Sequence, residues 1–123
     1  MVERDFVDQV ILALDDAFQR LDGPAGDVLV YRGGPALPRD GFMRGYVSSS
    51  LDREVAEAIA TERGDLWEIT AGAGSRALLL PAVDATHTPA QAEVLIDRNQ
   101  RFILHSVTAR GEHGRLLKVQ LQP

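Results

Sequence analysis

Helical periodicity in this chain is confined to two stretches, and that confinement limits the possible folds more than any other feature. Apolar residues at Val7, Val10, Ile11, Leu14, Phe18 and Leu21 recur at three- and four-residue spacing before Gly23-Pro24, so residues 5 to 22 are predicted as an amphipathic helix that stops there. The spacing returns at Leu51, Val55, Ala58 and Ile59. A serine of Ser48-Ser49-Ser50 would cap the first turn of this second helix, and Gly64 would end it after Arg63.

Everything else with order in it reads as short strands. Val28 to Arg32 is a β-type run ended by Gly33-Gly34-Pro35, and a loop with Pro35 and Pro38 leads to a second candidate at Gly45-Tyr46-Val47. Leu66 to Thr70 and Arg76 to Leu80 flank a glycine-rich turn, as two strands or one bent pair. The last third is predicted as a β-meander: Gln91 to Ile96, Arg101 to Thr108 and Leu116 to Leu121, with turns at 97 to 100 and 111 to 114. Helices first and strands later favour an α+β fold over a parallel βαβ sheet.

The size, 123 residues, suits one domain with one modest core, so residues 1 to 123 are expected to form a single unit. There is no cysteine, which excludes disulfides, thiol catalysis and zinc sites with Cys ligands. His87, His105 and His113 lack the spacing of a metal site, so no metal is expected. A formal charge of -5 disfavours long-range attraction to nucleic acid or an anionic membrane but leaves room for a local basic site. No apolar run approaches the ~20 residues of a spanning helix, and the N-terminus lacks a signal-peptide layout, so any export address is expected outside this chain.

Three polar positions stand out. Gln91 and Glu93 share one face of a strand whose other face carries Val94 and Ile96, which fits either a solvated edge or the polar lining of a cleft. Arg32 closes an apolar run beside two glycines that would let a backbone or a ligand approach closely. Trp67 is expected in the core or a cleft wall. Glu68 is either a second cleft acid or an outward-facing residue.

The ordered set "VYRG", "GYVSSSLDREVA" and "PAQAEVLIDRNQRF" resembles the Arg–Ser–Glu class of mono-ADP-ribosyltransferases, which includes clostridial Rho-modifying exoenzymes and binary actin-modifying toxins. The resemblance covers about Val28 to Leu121. It implies two packed antiparallel β-sheets with flanking helices, acting on NAD. Arg32 would bind a phosphate of NAD, and Gly33 would offer its backbone to the nicotinamide amide. Tyr46 would supply the aromatic face of the cofactor site, where phenylalanine is more common. Ser48 would position Glu93 and help bind the ribose, and Glu93 would stabilise the positive charge that develops there. Gln91, in place of the glutamate of arginine-modifying members, implies asparagine, glutamine or a nucleic-acid guanine as acceptor.

Residues 82 to 90 correspond to the family's substrate-recognition turn and lack the aromatic residue of Rho-modifying members, with His87 the only ring. By the resemblance the chain is an effector domain of a bacterial toxin, alone or as the C-terminal part of a longer one, secreted or delivered into a target cell. Its partners would be NAD, a protein or nucleic-acid acceptor and an immunity protein, with no membrane. The alternatives are an NAD glycohydrolase and a non-catalytic NAD- or phosphate-binding module.

Overall fold

The computed structural model describes residues 9, 12–13, 15–20, 24, 26–80, 93–110 and 114–122, apart from the side chains of 61–63 and 80. Residues 15–20 are helical (α1). Then follow β1 (Val28–Gly34), β2 (Phe42–Met43), β3 (Val47–Ser50), α2 (Arg53–Arg63), β4 (Asp65–Ala71), β5 (Ala77–Leu80), β6 (Glu93–Ile96), β7 (Gln100–Ala109) and β8 (Arg115–Leu121). The fold is α+β, as the element order predicts.

The strands hydrogen-bond in the order β2-β7-β8-β4-β1-β3-β6-β5, antiparallel except for the parallel pair β4/β8. This order cannot lie flat. β6 and β7 would be five strand spacings apart in a flat sheet, about 24 Å at ~4.8 Å each, yet only residues 97 to 99 connect them. Four residue steps span at most about 14 Å. The bend falls at the narrowest pairing, where β1 meets β3 through Tyr31↔Ser50 alone. Two layers result, β2-β7-β8-β4-β1 and β3-β6-β5, and they share one core. Val47, Val94 and Ile96 of the small layer pack there with Val30, Trp67, Ile69, Phe102, Leu117 and Val119 of the large one.

The last third is therefore not a meander. β7 and β8 form the expected hairpin, but β6 pairs with β3 and β5, because Val94 and Ile96 bury only in the small layer. Similarly, Leu66 to Thr70 and Arg76 to Leu80 are separate strands in different layers.

The serine run also differs from expectation. Ser48 to Ser50 form β3, and the cap of α2 is Asp52, whose carboxylate accepts from the Glu54 N–H at 2.9 Å. Ser50 contributes one step earlier by accepting from the Asp52 N–H at 2.9 Å. Pairing of the whole of β3 with β6, with Val47 buried opposite Ile96, holds the serines extended, and the carboxylate takes the capping role. The helix ends at Gly64, at φ 119, as predicted. β1 runs on through Gly33 and Gly34 rather than stopping before them.

Helix α2 lies on the outer face of the large layer, where Ala56, Ala60 and Leu66 pack with Tyr31 and Leu116. Gly33 is what lets it approach. A Cβ there would lie 2.3 Å from Ala56 O and 2.5 Å from Ala60 N.

Candidate active site

Alternation along β1 puts Val28, Val30 and Arg32 on the inner face and Tyr31 and Gly33 under α2. Arg32 is thus carried to the edge of the core, opposite Trp67 in the β1/β4 ladder. Its guanidinium carbon stands 5.6 Å from the Trp67 ring centroid, a cation–π contact. Trp67 is itself fixed, 1% exposed, edge-on to Phe102 and donating from Nε1 to Pro35 O at 3.0 Å. Arg32 Nη1 donates to Ser48 O at 3.0 Å. Its Nε is buried without a hydrogen-bond partner. Desolvation lowers the Arg32 pKa from its ordinary value, and the group remains charged at neutral pH.

Ser48 continues the chain of contacts. Its Oγ donates to Glu93 Oε1 at 2.7 Å, a short bond of the kind an ionised acceptor makes. Glu93 opens β6, the middle strand of the small layer, opposite Ser50 on one side and Leu80 on the other. Val94 and Ile96 anchor that strand at 6% and 0% exposure, so the carboxylate projects from a backbone held on both edges. Ser49, on the inner face, bonds Val94 O at 2.7 Å and ties β3 to β6.

The three predicted side chains, Arg32, Ser48 and Glu93, thus converge from three strands into one hydrogen-bonded series. Gly33 lies next to it, on a part of β1 beyond the single β3 pairing. Tyr46 is in contact with α1. Its ring stacks on Phe18 with centroids 6.3 Å apart, and its hydroxyl bonds Asp15 Oδ1 at 3.3 Å, so it docks α1. Gln91 and His87 lie outside the described residues. Glu68 sits on the α2 face of the large layer, opposite Tyr31 and Lys118, and is not a cleft acid.

Sequence reasoning did not foresee Trp67 as the platform under Arg32. The signal was present, since alternation along Asp65–Ala71 sets Trp67 and Ile69 on one face, but the partner strand was needed to bring Arg32 over it. Among the described residues no group of His, Asp or Glu could hold a metal ion, and no helix is long and apolar enough to cross a membrane.

Solved structures of the same fold include ADP-ribosylating toxins. The Clostridium limosum C3 exoenzyme superposes with a TM-score of 0.73 at 18% identity, covering 92% of this chain and 67% of that one. Plx2a, an ADP-ribosyltransferase toxin from Paenibacillus larvae, gives 0.70 at 20%, covering 93% and 69%. The toxin BECa of a C. perfringens binary enterotoxin, solved with NADH, gives 0.70 at 17%, covering 96% and 36%. No curated protein matches the sequence directly. A sequence model of the ADP-ribosyltransferase exoenzyme family does match, over residues 37–120. About two thirds of its length conforms to that family, so the chain belongs to the ADP-ribosyltransferase exoenzymes and is an NAD-dependent ADP-ribosyltransferase.

Proposed function

We propose that residues 1 to 123 form one catalytic domain that transfers a single ADP-ribose from NAD to a macromolecular acceptor, through Arg32, Ser48 and Glu93. The observation that carries this reading is the contact series from Arg32 Nη1 to Ser48 O and from Ser48 Oγ to Glu93 Oε1. It sets a permanent cation and a carboxylate on either side of one strand, as a dinucleotide with an anionic middle and a ribose at one end requires.

Arg32 binds the pyrophosphate. Its buried, unpartnered Nε supports this role, because such a donor is costly unless an acceptor arrives. Trp67 beneath and Ser48 O beside it hold the guanidinium in one orientation before NAD enters. In the bond-breaking step the electron pair of the ribose C1′–nitrogen bond leaves with nicotinamide, which becomes neutral. Positive charge grows on C1′ and the ring oxygen, as in glycoside hydrolysis. Glu93, already oriented by Ser48, stabilises that charge without reorganising. The acceptor nitrogen then supplies the pair that forms the new bond to C1′ and gives up a proton.

Gln91, two residues before Glu93 in the sequence, is proposed to set the acceptor. An amide offers a paired donor and acceptor to asparagine, glutamine or a guanine edge, whereas a second carboxylate suits a guanidinium. Toxin relatives act after secretion or delivery into a host cell, and the same route is proposed here.

The test uses labelled NAD in cell lysate, with label scored separately on protein, DNA and RNA. Wild type should label one class and Glu93→Gln none. Persistent labelling by the variant would remove Glu93 from the mechanism. Nicotinamide release with no label on any class would make the protein an NAD glycohydrolase.

A further inference from the structure

Away from this site, the turn between β6 and β7 bounds two adjoining open hollows of about 310 and 400 Å³ that share Arg76, Asn99 and Gln100. The larger is completed by Phe42, Arg101 and Gln122. It is lined by two guanidinium groups, that of Arg76 paired with Asp97 of the adjoining hollow and that of Arg101, together with three side-chain amides and one aromatic ring, and by no carboxylate of its own. In a chain with a net charge of -5, that local composition runs against the whole.

The parts are positioned rather than scattered. Phe42 and Arg101 stand opposite each other in the β2/β7 ladder, so their side chains share a face. Phe42 is partly buried and lines the hollow. Arg76 is held through its Nε by the buried Asp97. Arg101 has no ion-pair partner among the described residues, and neither has Arg44, whose carbonyl accepts from Asn99 N at 3.3 Å.

We propose that this hollow is an accessory site for one nucleotide of a single-stranded nucleic-acid acceptor. The base would stack on Phe42, the amides of Asn99, Gln100 and Gln122 would meet its edge, and Arg76 and Arg101 would flank its phosphate. Aromatic stacking beside a cationic track is how single strands are held, and a volume of about 400 Å³ falls in the range of small-ligand sites. A phosphopeptide would satisfy the guanidinium pair but leave the ring and three amides without matching groups.

The position suits a substrate-holding role. Asp97, at the start of the turn, lies about 13 Å along β6 from Glu93, four residues at ~3.3 Å. A stacked strand rises about 3.4 Å per nucleotide, so an acceptor held beyond this turn would need several nucleotides to reach Glu93. This inference rests on the transferase reading for its purpose, but binding is measurable without turnover.

The probe is a fluorescein-labelled single-stranded DNA on the order of 12 nucleotides, guanine-containing, followed by anisotropy against wild type, Arg101→Glu and Phe42→Leu. Each variant should bind about tenfold more weakly. Arg101→Glu should also flatten the dependence of log K on log salt by about 0.7, one phosphate contact, and NAD hydrolysis should stay at the wild-type rate in both. Four results would overturn the site: no oligonucleotide binding, equal binding by wild type and Arg101→Glu, displacement of the oligonucleotide by NAD, or equally tight binding of a phosphoserine peptide. Loss of NAD turnover in all three proteins, with binding as expected, would instead strike the transferase reading and leave the site standing.

Discussion

Gly33 is assigned a nicotinamide contact by resemblance, while the structure gives it a second task that a single methyl group can test. In Gly33→Ala the new Cβ would lie 2.3 Å from Ala56 O, 2.5 Å from Ala60 N and 2.9 Å from Ile59 Cβ. Restoring an ordinary 3.4 Å contact from 2.3 Å requires α2 and β1 to separate by about 1.1 Å. Two of the three clashes are with backbone, so no rotamer change relieves them, and trimming Ala56 would not help. Ala56 and Ala60 are 1% and 0% exposed, and a shift of that size would open their contacts with Leu66 and Tyr31. Overpacking of this kind costs about 1–3 kcal/mol, and the upper end applies because a whole helix must move. The alanine returns about 0.4–1 kcal/mol by restricting the unfolded chain. A net loss of about 2 kcal/mol corresponds to a fall in Tm of about 8 °C for a chain of this size. Calorimetry on both proteins measures it directly. A Tm equal to or above wild type would refute the packing argument and leave Gly33 to the ligand alone.

Ser48→Ala should lower kcat for NAD cleavage roughly tenfold, since a hydrogen bond to a charged group is worth about 1.5–3 kcal/mol and this one is solvent-exposed. Stability should change by less than about 0.5 kcal/mol and Ser48→Thr should restore the rate; wild-type kcat in Ser48→Ala would end the positioning role. Arg32→Lys keeps the charge but loses the fork, so NAD affinity by calorimetry should fall at least about tenfold, and unchanged affinity would remove Arg32 from the phosphate site. Burial, followed by the charge of Asp15, raises the Tyr46 phenol above its usual 10.0. The folded state therefore keeps a proton that the unfolded state loses, and this contribution is present below pH 10 and declines as pH rises through the folded value. Denaturation of wild type should steepen with pH above about 10 relative to Tyr46→Phe, and parallel curves would contradict the assignment.

Much of the site was legible because it lies in short motifs whose order along the chain is specific even where each is weak. Strand-period alternation correctly placed Val94 and Ile96 inward and Glu93 on the other face. The same reasoning misread Ser48 to Ser50, since a serine before an apolar-periodic run is as good a helix cap as it is a strand residue. What decided between them was β6, more than 40 residues away, pairing with β3 through Ser48↔Leu95 and Ser49↔Val94. Tyr46 has a contact that the sequence did not announce, because an aromatic face serves whichever neighbour reaches it, and Phe18 on α1 does.

From its residues alone the chain determined that helical spacing is confined to two stretches, that α2 stops at Gly64 and which face of each strand is apolar, while the resemblance of its motifs named three side chains as candidates for an NAD chemistry. These are local properties, set by spacing, by glycine's freedom at Gly64 and by side-chain chemistry. Only the tertiary structure decided that consecutive β6 and β7 belong to different layers, that Arg32 rests on Trp67, and that Asp52 rather than a serine caps α2. Those outcomes depend on pairings between distant strands, and a three-residue turn too short to cross a flat sheet forces the layers to fold over each other and bring the three strands together.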